Sequence, residues 1–416
     1  VSDLPFGFGK SDDDDSGENN PSTPGPFGIF GSFGVPGGDP QQLSAALHQF
    51  ADLLSWQGGP VNWDLAKNLA RQVASGDDPS IGRTDSEAVA DAGRVAELWL
   101  DAATTLPPGA PVMAAWSRAE WIENTLPTWR ELIEPVAERV VGALGNVMPA
   151  EMEQMAGPLF GVMRQMGGLM FGSQVGQAIG SLAREVVGTT DVGLPLAPGH
   201  TALVPSGVAT YAEGLGVPLE EVRLYLALRE AAYQRLFAHV PWLRGRVLAA
   251  VADFARGITV DTSRLEETLG SIDPSNPEAL QSALNEGLFE PETTPEQQAA
   301  LNRLETVLAL IEGWVEQVVD AAAGPRLTQA AALHETVRRR RATGGPAEQT
   351  FGTLVGLQLR PRRIREAATL WQSLLDARGM EGRDAVWSHP DFLPTADDLD
   401  DPEEYVHRKE LDLSGL

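Results

Sequence analysis

The sequence predicts a mainly α, multi-helix fold with little or no sheet. Apolar residues recur at three- and four-residue intervals over long stretches, as on the buried face of a helix. Helix-start signals stand ahead of several of these stretches, the strongest being Thr294-Pro295-Glu296-Gln297. There a threonine cap is followed by proline at the first helical position and glutamine three residues on. No segment sustains the apolar–polar alternation of a half-buried strand.

Residues 1–40 combine an acidic run, Ser11-Asp12-Asp13-Asp14-Asp15-Ser16-Gly17, with Phe-Gly pairs such as Phe6-Gly7-Phe8-Gly9, Phe27-Gly28 and Phe33-Gly34. Such a composition cannot build a core, which predicts a disordered tail whose spaced phenylalanines could also dock to a partner. An N-terminal helical region is expected over 41–135. It opens with Leu43, Ala46, Leu47, Phe50, Leu53 and Leu54 at helical spacing. A helix capped by Asn62 follows, running to Ser75, and then another over Ser86–Thr104 that stops before Pro107-Pro108. Trp116, Trp121 and Trp129 are core anchors in this reading.

A helical core is expected over 136–380. Its first part is punctuated by Gly168, Gly172, Gly176 and Gly180, four residues apart, which line one ridge and admit a close helix neighbour. Residues 191–206 are irregular, with room for a short extended piece. Helices follow from Pro218 to about His239, where Pro241 ends the run, from Trp242 to Gly257, from Thr294 to about Ala322, and over 328–341, 347–357 and 361–378. Residues 381–416 are acidic and turn-rich and read as a C-terminal tail.

The chain has 416 residues, 43% of them hydrophobic, which is enough for a sizeable core. It has no cysteine, so disulfides, thiolate metal sites and thiol nucleophiles are excluded. Its formal charge of −27 repels nucleic acid at long range, and no nucleic-acid partner is expected. No segment reads as membrane-spanning, since the weakly polar stretch Met155–Ala183 carries Arg164, Gln165, Gln174 and Gln177. The first residues lack a basic segment leading into an apolar one, which predicts a cytoplasmic location.

The segment that carries chemistry is Arg229-Glu230-Ala231-Ala232-Tyr233 followed by His239. Its spacing is that of a long zinc-peptidase motif, His-Glu-x-x-His with a third histidine six residues on. In that motif two imidazoles one helical turn apart hold zinc, and the glutamate polarises a bound water. Here Arg229 and Tyr233 stand at the histidine positions, and only Glu230 and His239 keep the expected type. By spacing alone an ordinary buried helix also fits. Tyr225, Ala232, Leu236 and Val240 would form its apolar face, and Glu230 would pair with Arg223 or Arg235.

The wider sequence resembles an actinobacterial family of zincin-like hydrolases, loosely associated with deazaflavin-cofactor biosynthesis genes. The resemblance covers about residues 85–380. It rests on Phe171-Gly172-Ser173-Gln174-Val175-Gly176, Tyr211-Ala212-Glu213-Gly214-Leu215, the segment Arg229–Tyr233 with Phe237-Ala238-His239-Val240-Pro241-Trp242-Leu243, Ile311-Glu312-Gly313-Trp314-Val315-Glu316, and Gly344-Gly345-Pro346-Ala347-Glu348-Gln349 leading into Leu354-Val355-Gly356-Leu357. It implies a helical zincin-like metallopeptidase core, zinc as cofactor and a peptide or protein as ligand. It places Glu230 at the general base, Arg229 and Tyr233 at ligand positions, and Glu312 at a helix-borne carboxylate facing the site, with Glu316 one turn on as the alternative. A guanidinium stays protonated and cannot ligate zinc. Two arrangements follow as expectations. Either Arg229 replaces the cation and pairs with Glu230 and Glu312, leaving a non-catalytic binding scaffold, or a different set, His239, Glu230 and Glu312, holds the metal.

His334-Glu335-Thr336-Val337-Arg338 starts like a metal motif but lacks its second histidine and reads as a solvated face. His200 reads as a surface-loop residue. The runs Arg338–Arg341 and Arg360, Arg362, Arg363, Arg365 either bind an anion or neutralise the chain's own carboxylates.

Overall fold

The computed structural model describes residues 59–109, 112–146, 157–256, 294–342 and 363–408, together with 350, 352 and 354. The expected Phe-Gly tail, the helix around 43–54 and nearly all of the helix at 347–357 lie outside the described residues.

The order of elements is α1 (Trp63–Ala74), α2 (Arg83–Leu100), β1 (Ala114–Ala115), α3 (Arg118–Asn146), α4 (Gly157–Ala183), β2 (Ala202–Leu203), α5 (Pro205–Ala212), α6 (Leu219–His239), α7 (Pro241–Arg256), α8 (Pro295–Ala323), α9 (Ala330–Ala342), α10 (Ile364–Asp384), α11 (Ala396–Asp400) and α12 (Pro402–His407). The mainly α expectation holds, and the helix starts follow their signals. Asn62 caps α1 by accepting from the Leu65 amide at 3.0 Å. Thr294 and Gln297 close a reciprocal capping box on α8.

The glycine ridge of α4 has the role its spacing implies. A Cβ at Gly172 would lie 2.6 Å from the Asn62 carbonyl oxygen. At Gly176 it would lie 2.7 Å from that of Ala66, and at Gly180 2.7 Å from the Val73 Cβ. The backbones of α1 and α4 are therefore in contact, and the Asn62 amide donates to the Gly168 carbonyl at 2.9 Å. Glycine costs about 1 kcal/mol relative to alanine inside a helix, and this close packing offsets the cost.

One hydrophobic core runs from Val61 to Val406, with Trp121 and Trp129 fully enclosed. Helix α3 passes residue 135 without a break, so the segments before and after that point share this core. Helices α6 and α8 lie at its centre, with α2 against α6, and α7 and α10 against α8. Residues 381–408 differ from the tail that acidity predicts. Arg383 and Trp387 are buried, and Asp384 accepts from the Thr104 hydroxyl (2.7 Å), the Thr105 amide (2.7 Å) and the Trp314 indole (3.0 Å). The acidic average hid a few large anchors, with Trp387 stacked on Trp371 at 5.2 Å.

The extended pair is small but positions the site. β1 and β2 run parallel, with Ala114 opposite Ala202 and Ala115 opposite Leu203. Beyond it the Thr189 amide donates to the Ala202 carbonyl at 3.2 Å, and that of Val204 to Val187 at 2.9 Å. These bonds pin the loop 184–201 over α6.

Two substitutions test the ridge. Gly176→Ala is expected to lose about 1–3 kcal/mol by overpacking. Gly245→Ala, in α7 where a Cβ would meet nothing within 4 Å, is expected to gain up to about 1 kcal/mol. Denaturant titration of both variants against the parent measures the difference.

Candidate functional site

Three helices each bring one polar stripe to a common seam. On α8, Glu312, Glu316 and Asp320 stand four residues apart and share a face. On α6, Tyr225, Arg229 and Tyr233 do the same. Helix α9 returns after a short turn and contributes His334, Arg338 and Arg341. Glu312 and Glu316 are 4% and 5% exposed, so each needs compensating charge.

Glu312 has it in full. One carboxylate oxygen pairs with the Arg229 guanidinium. The other accepts from the Tyr233 hydroxyl and pairs with Arg341 at 3.2 Å. Burial pushes the Glu312 pKa up, but Arg229 and Arg341 outweigh it and bring it down to about 2. Burial and the neighbouring Glu312 charge both push the Tyr233 phenol up, so it stays protonated. Burial also works against the charge on Arg229, but Glu312 dominates and holds it fully charged.

One turn along α8, Glu316 pairs with His334 and Arg338. His334 also meets Asp320 at 2.7 Å through its other ring nitrogen. Hydrogen bonds to Asp320 and Glu316 raise its pKa to about 9. The solvated face expected for His334 is therefore corrected. The carboxylates it meets sit on a different helix, and the signal was a run of acids at four-residue spacing facing a run of bases across a tight α8–α9 turn. All four arginines of the first cluster are engaged within the chain: Arg338 with Glu316, Arg339 with Glu335 at 2.8 Å, Arg340 with Asp191 at 3.0 Å and Arg341 with Glu312.

Glu230 lies apart from this seam. It is 3% exposed and accepts from the Thr189 hydroxyl, the Thr190 amide at 3.0 Å and the Thr190 hydroxyl at 2.7 Å, with Gln234 close by at 3.4 Å. Burial raises its pKa, and the threonine hydrogen bonds work against that rise. Gly188 is required here, because a Cβ would stand 2.7 Å from Glu230 Oε2. The expected pair of Arg229 with Glu312 forms. Glu230 instead takes neutral partners from the pinned loop, not Arg229, Arg223 or Arg235. Arg235 is committed to Glu97 and Asp101.

His239 is placed differently from the metal set His239, Glu230 and Glu312. It is exposed at the last residue of α6, with its ring against the Pro108 carbonyl at 3.2 Å. Among the described residues no three His, Cys, Asp or Glu side chains gather to hold a metal ion. The donor chemistry agrees. A guanidinium and a phenol occupy the two imidazole positions, and both oxygens of Glu312 are already bound to cations or a hydroxyl. These residues do not fit zinc. His200 is exposed, and its carbonyl accepts from Gln234 at 2.8 Å.

The seam makes two predictions. Glu312→Gln leaves two enclosed guanidiniums without their anion and is expected to cost about 3–5 kcal/mol in a denaturant titration. His334 titrates near about 6.5 when unfolded and near about 9 when folded. Its contribution is therefore complete below pH ~6.5 and is lost as the pH rises through 9. The unfolding midpoint should fall over that window, and His334→Gln should flatten the fall.

Comparisons with known proteins agree with this architecture. A crystal structure from Chloroflexus aurantiacus, described as a candidate hydrolase with a novel fold, superposes with a TM-score of 0.59 at 20% identity, covering 83% of this chain and 97% of that one. At that identity the likeness speaks for the fold. No curated protein matches the chain. No helix among the described residues is long and apolar enough to cross a membrane. The family model for zincin-like metallopeptidases matches residues 61–406, the whole of the core, and the chain belongs to that family.

Proposed function

We propose that this chain is a zincin-type protein in which a guanidinium has replaced the catalytic cation, leaving a non-catalytic scaffold that binds a peptide or protein. The observation that carries this reading is the closed set of Arg229, Tyr233, Glu312 and Arg341. Arg229 and Tyr233 stand at the motif's two imidazole positions, and Glu312 is the carboxylate expected to face them. Their electrostatic balance is kept by an arginine that offers no open coordination position. The peptide or protein ligand follows from the family, whose members are peptidase-like. A second reading is a working hydrolase with Glu230 as its proton acceptor. Its support is the upward shift of the Glu230 carboxyl caused by burial, which moves a carboxylate toward useful basicity. Against it stand the threonine donors that already occupy that carboxylate.

Metal analysis of the purified chain, paired with a peptidase assay with and without chelator, separates the two. Zinc far below one equivalent and no chelator-sensitive turnover are expected. A full equivalent of zinc that leaves together with activity would overturn the scaffold reading. Glu230→Gln then tests the hydrolase reading: activity present in the parent and unchanged in this variant removes the proposed base. The double variant Arg229→His with Tyr233→His is expected to gain zinc affinity, read by competition with a chromogenic chelator.

A further inference from the structure

Arg229, Tyr233 and Glu312 are all buried, so a peptide reaches them only if part of their cover moves. Helix α9 is part of that cover. Arg341 pairs with Glu312 at 3.2 Å, and its guanidinium lies 3.4 Å from the Tyr233 hydroxyl. One position back, Arg340 donates to the Glu185 carbonyl at 2.7 Å and pairs with Asp191 at 3.0 Å. It thereby grips the loop that carries Thr189 and Thr190 to Glu230. His334 and Arg338 complete the crossing on Glu316 and Asp320 of α8. The helix therefore runs as a strap from α8 to the loop 184–201, across the motif positions.

What holds this strap differs from what holds its neighbours. The loop buries Val186, Leu194 and Leu196. Helices α6 and α8 bury apolar residues along most of their length. Helix α9 encloses Leu333 fully, while Ala330 and Val337 keep 8% and 9% exposure. Its other attachments are ionic, through His334, Arg338, Arg340 and Arg341, whose side chains are between 17% and 33% exposed. Water and salt reach such pairs and weaken them. An element with few buried apolar contacts also opens more readily than the whole protein unfolds. The motif set does not need the strap to stay neutral. Arg229 and Tyr233 approach Glu312 from α6, so that carboxylate keeps a cation and a hydroxyl when α9 lifts.

We infer that α9 is an ion-latched strap, which opens locally over the seam while α6 and α8 stay folded and so controls access to it. This deepens the scaffold reading and rests on it for the ligand, whereas the opening itself is measurable on the chain without a peptide.

Hydrogen exchange of the full chain, resolved by fragment, tests the strap in about 0.02 M and about 0.5 M sodium chloride. Amide exchange over residues 330–342 should rise about fivefold with salt, as several partly exposed ion pairs are screened. Exchange over residues 226–236 of α6 and 308–319 of α8 should stay the same. Arg338→Gln removes one latch and should raise exchange over 330–342 about threefold at low salt, again without a change in α8. The salt response of the parent chain stands by itself if that variant does not fold. Exchange over 330–342 that ignores salt, or that rises only in step with α8, would overturn the inference. Unchanged α9 exchange in a folded Arg338→Gln would do the same. Zinc content, measured on the same sample, reports separately on the scaffold reading, so either proposal can fail while the other stands.

Discussion

The neutralisation of the carboxylates on α8 is the constraint on which the rest of the structure depends. Glu312 and Glu316 lie inside the protein, and Asp320 continues their row toward the helix end. A buried carboxylate without a cation costs several kcal/mol, so the neighbours must supply positive charge. Helix α6 does so with Arg229, and α9 with His334, Arg338 and Arg341. Helix α9 therefore docks mostly through charge. Its apolar contribution, from Ala330, Leu333 and Val337, is narrow, while four of its basic side chains, His334, Arg338, Arg340 and Arg341, are engaged with acids of other elements.

Zinc and arginine answer the same electrostatic demand in different ways. A divalent ion at a carboxylate carries its charge at one point and keeps a position open for water. A guanidinium spreads one charge over a plane and fills the space with its own donors. In this chain the second solution brings a hydrogen-bonding tyrosine and a second arginine with it, so the carboxylate is bound from three sides. The proposed shift from catalysis to binding is the chemical consequence of that exchange. The hydrogen bonds that tie Glu230, next in sequence to Arg229, to threonines accord with that proposal. Once no polarised water has to be served, a buried carboxylate is held most cheaply by nearby hydroxyls and an amide.

Placement of this chemistry depends on parts remote from it. The glycine ridge of α4 seats α1, and β1 with β2 holds the loop that brings Thr189, Thr190, Asp191 and Gly193 over α6. The keyed segment around Arg383 and Asp384 ties α8 and α10 to the turn after α2 through Gln317 and Ala103. These contacts join the helices that carry the seam to the rest of the core.

Local signals in the sequence determined much of this. The helical class, the caps at Asn62 and Thr294 and the close-packed glycines follow from spacing and side-chain chemistry, which act within one helix or between chemically matched groups, whereas the facing of Arg229 and Glu312 was implied by the family resemblance alone. The tertiary structure decided what spacing cannot express. It turned Glu230 away from Arg229 toward two loop threonines, left His239 at an exposed helix end, set His334 between acids of another helix, and drew Trp387 and its neighbours into the core. Each of these depends on how far apart two distant segments come to rest. That separation is set by packing of the whole chain, and no stretch of sequence carries it alone.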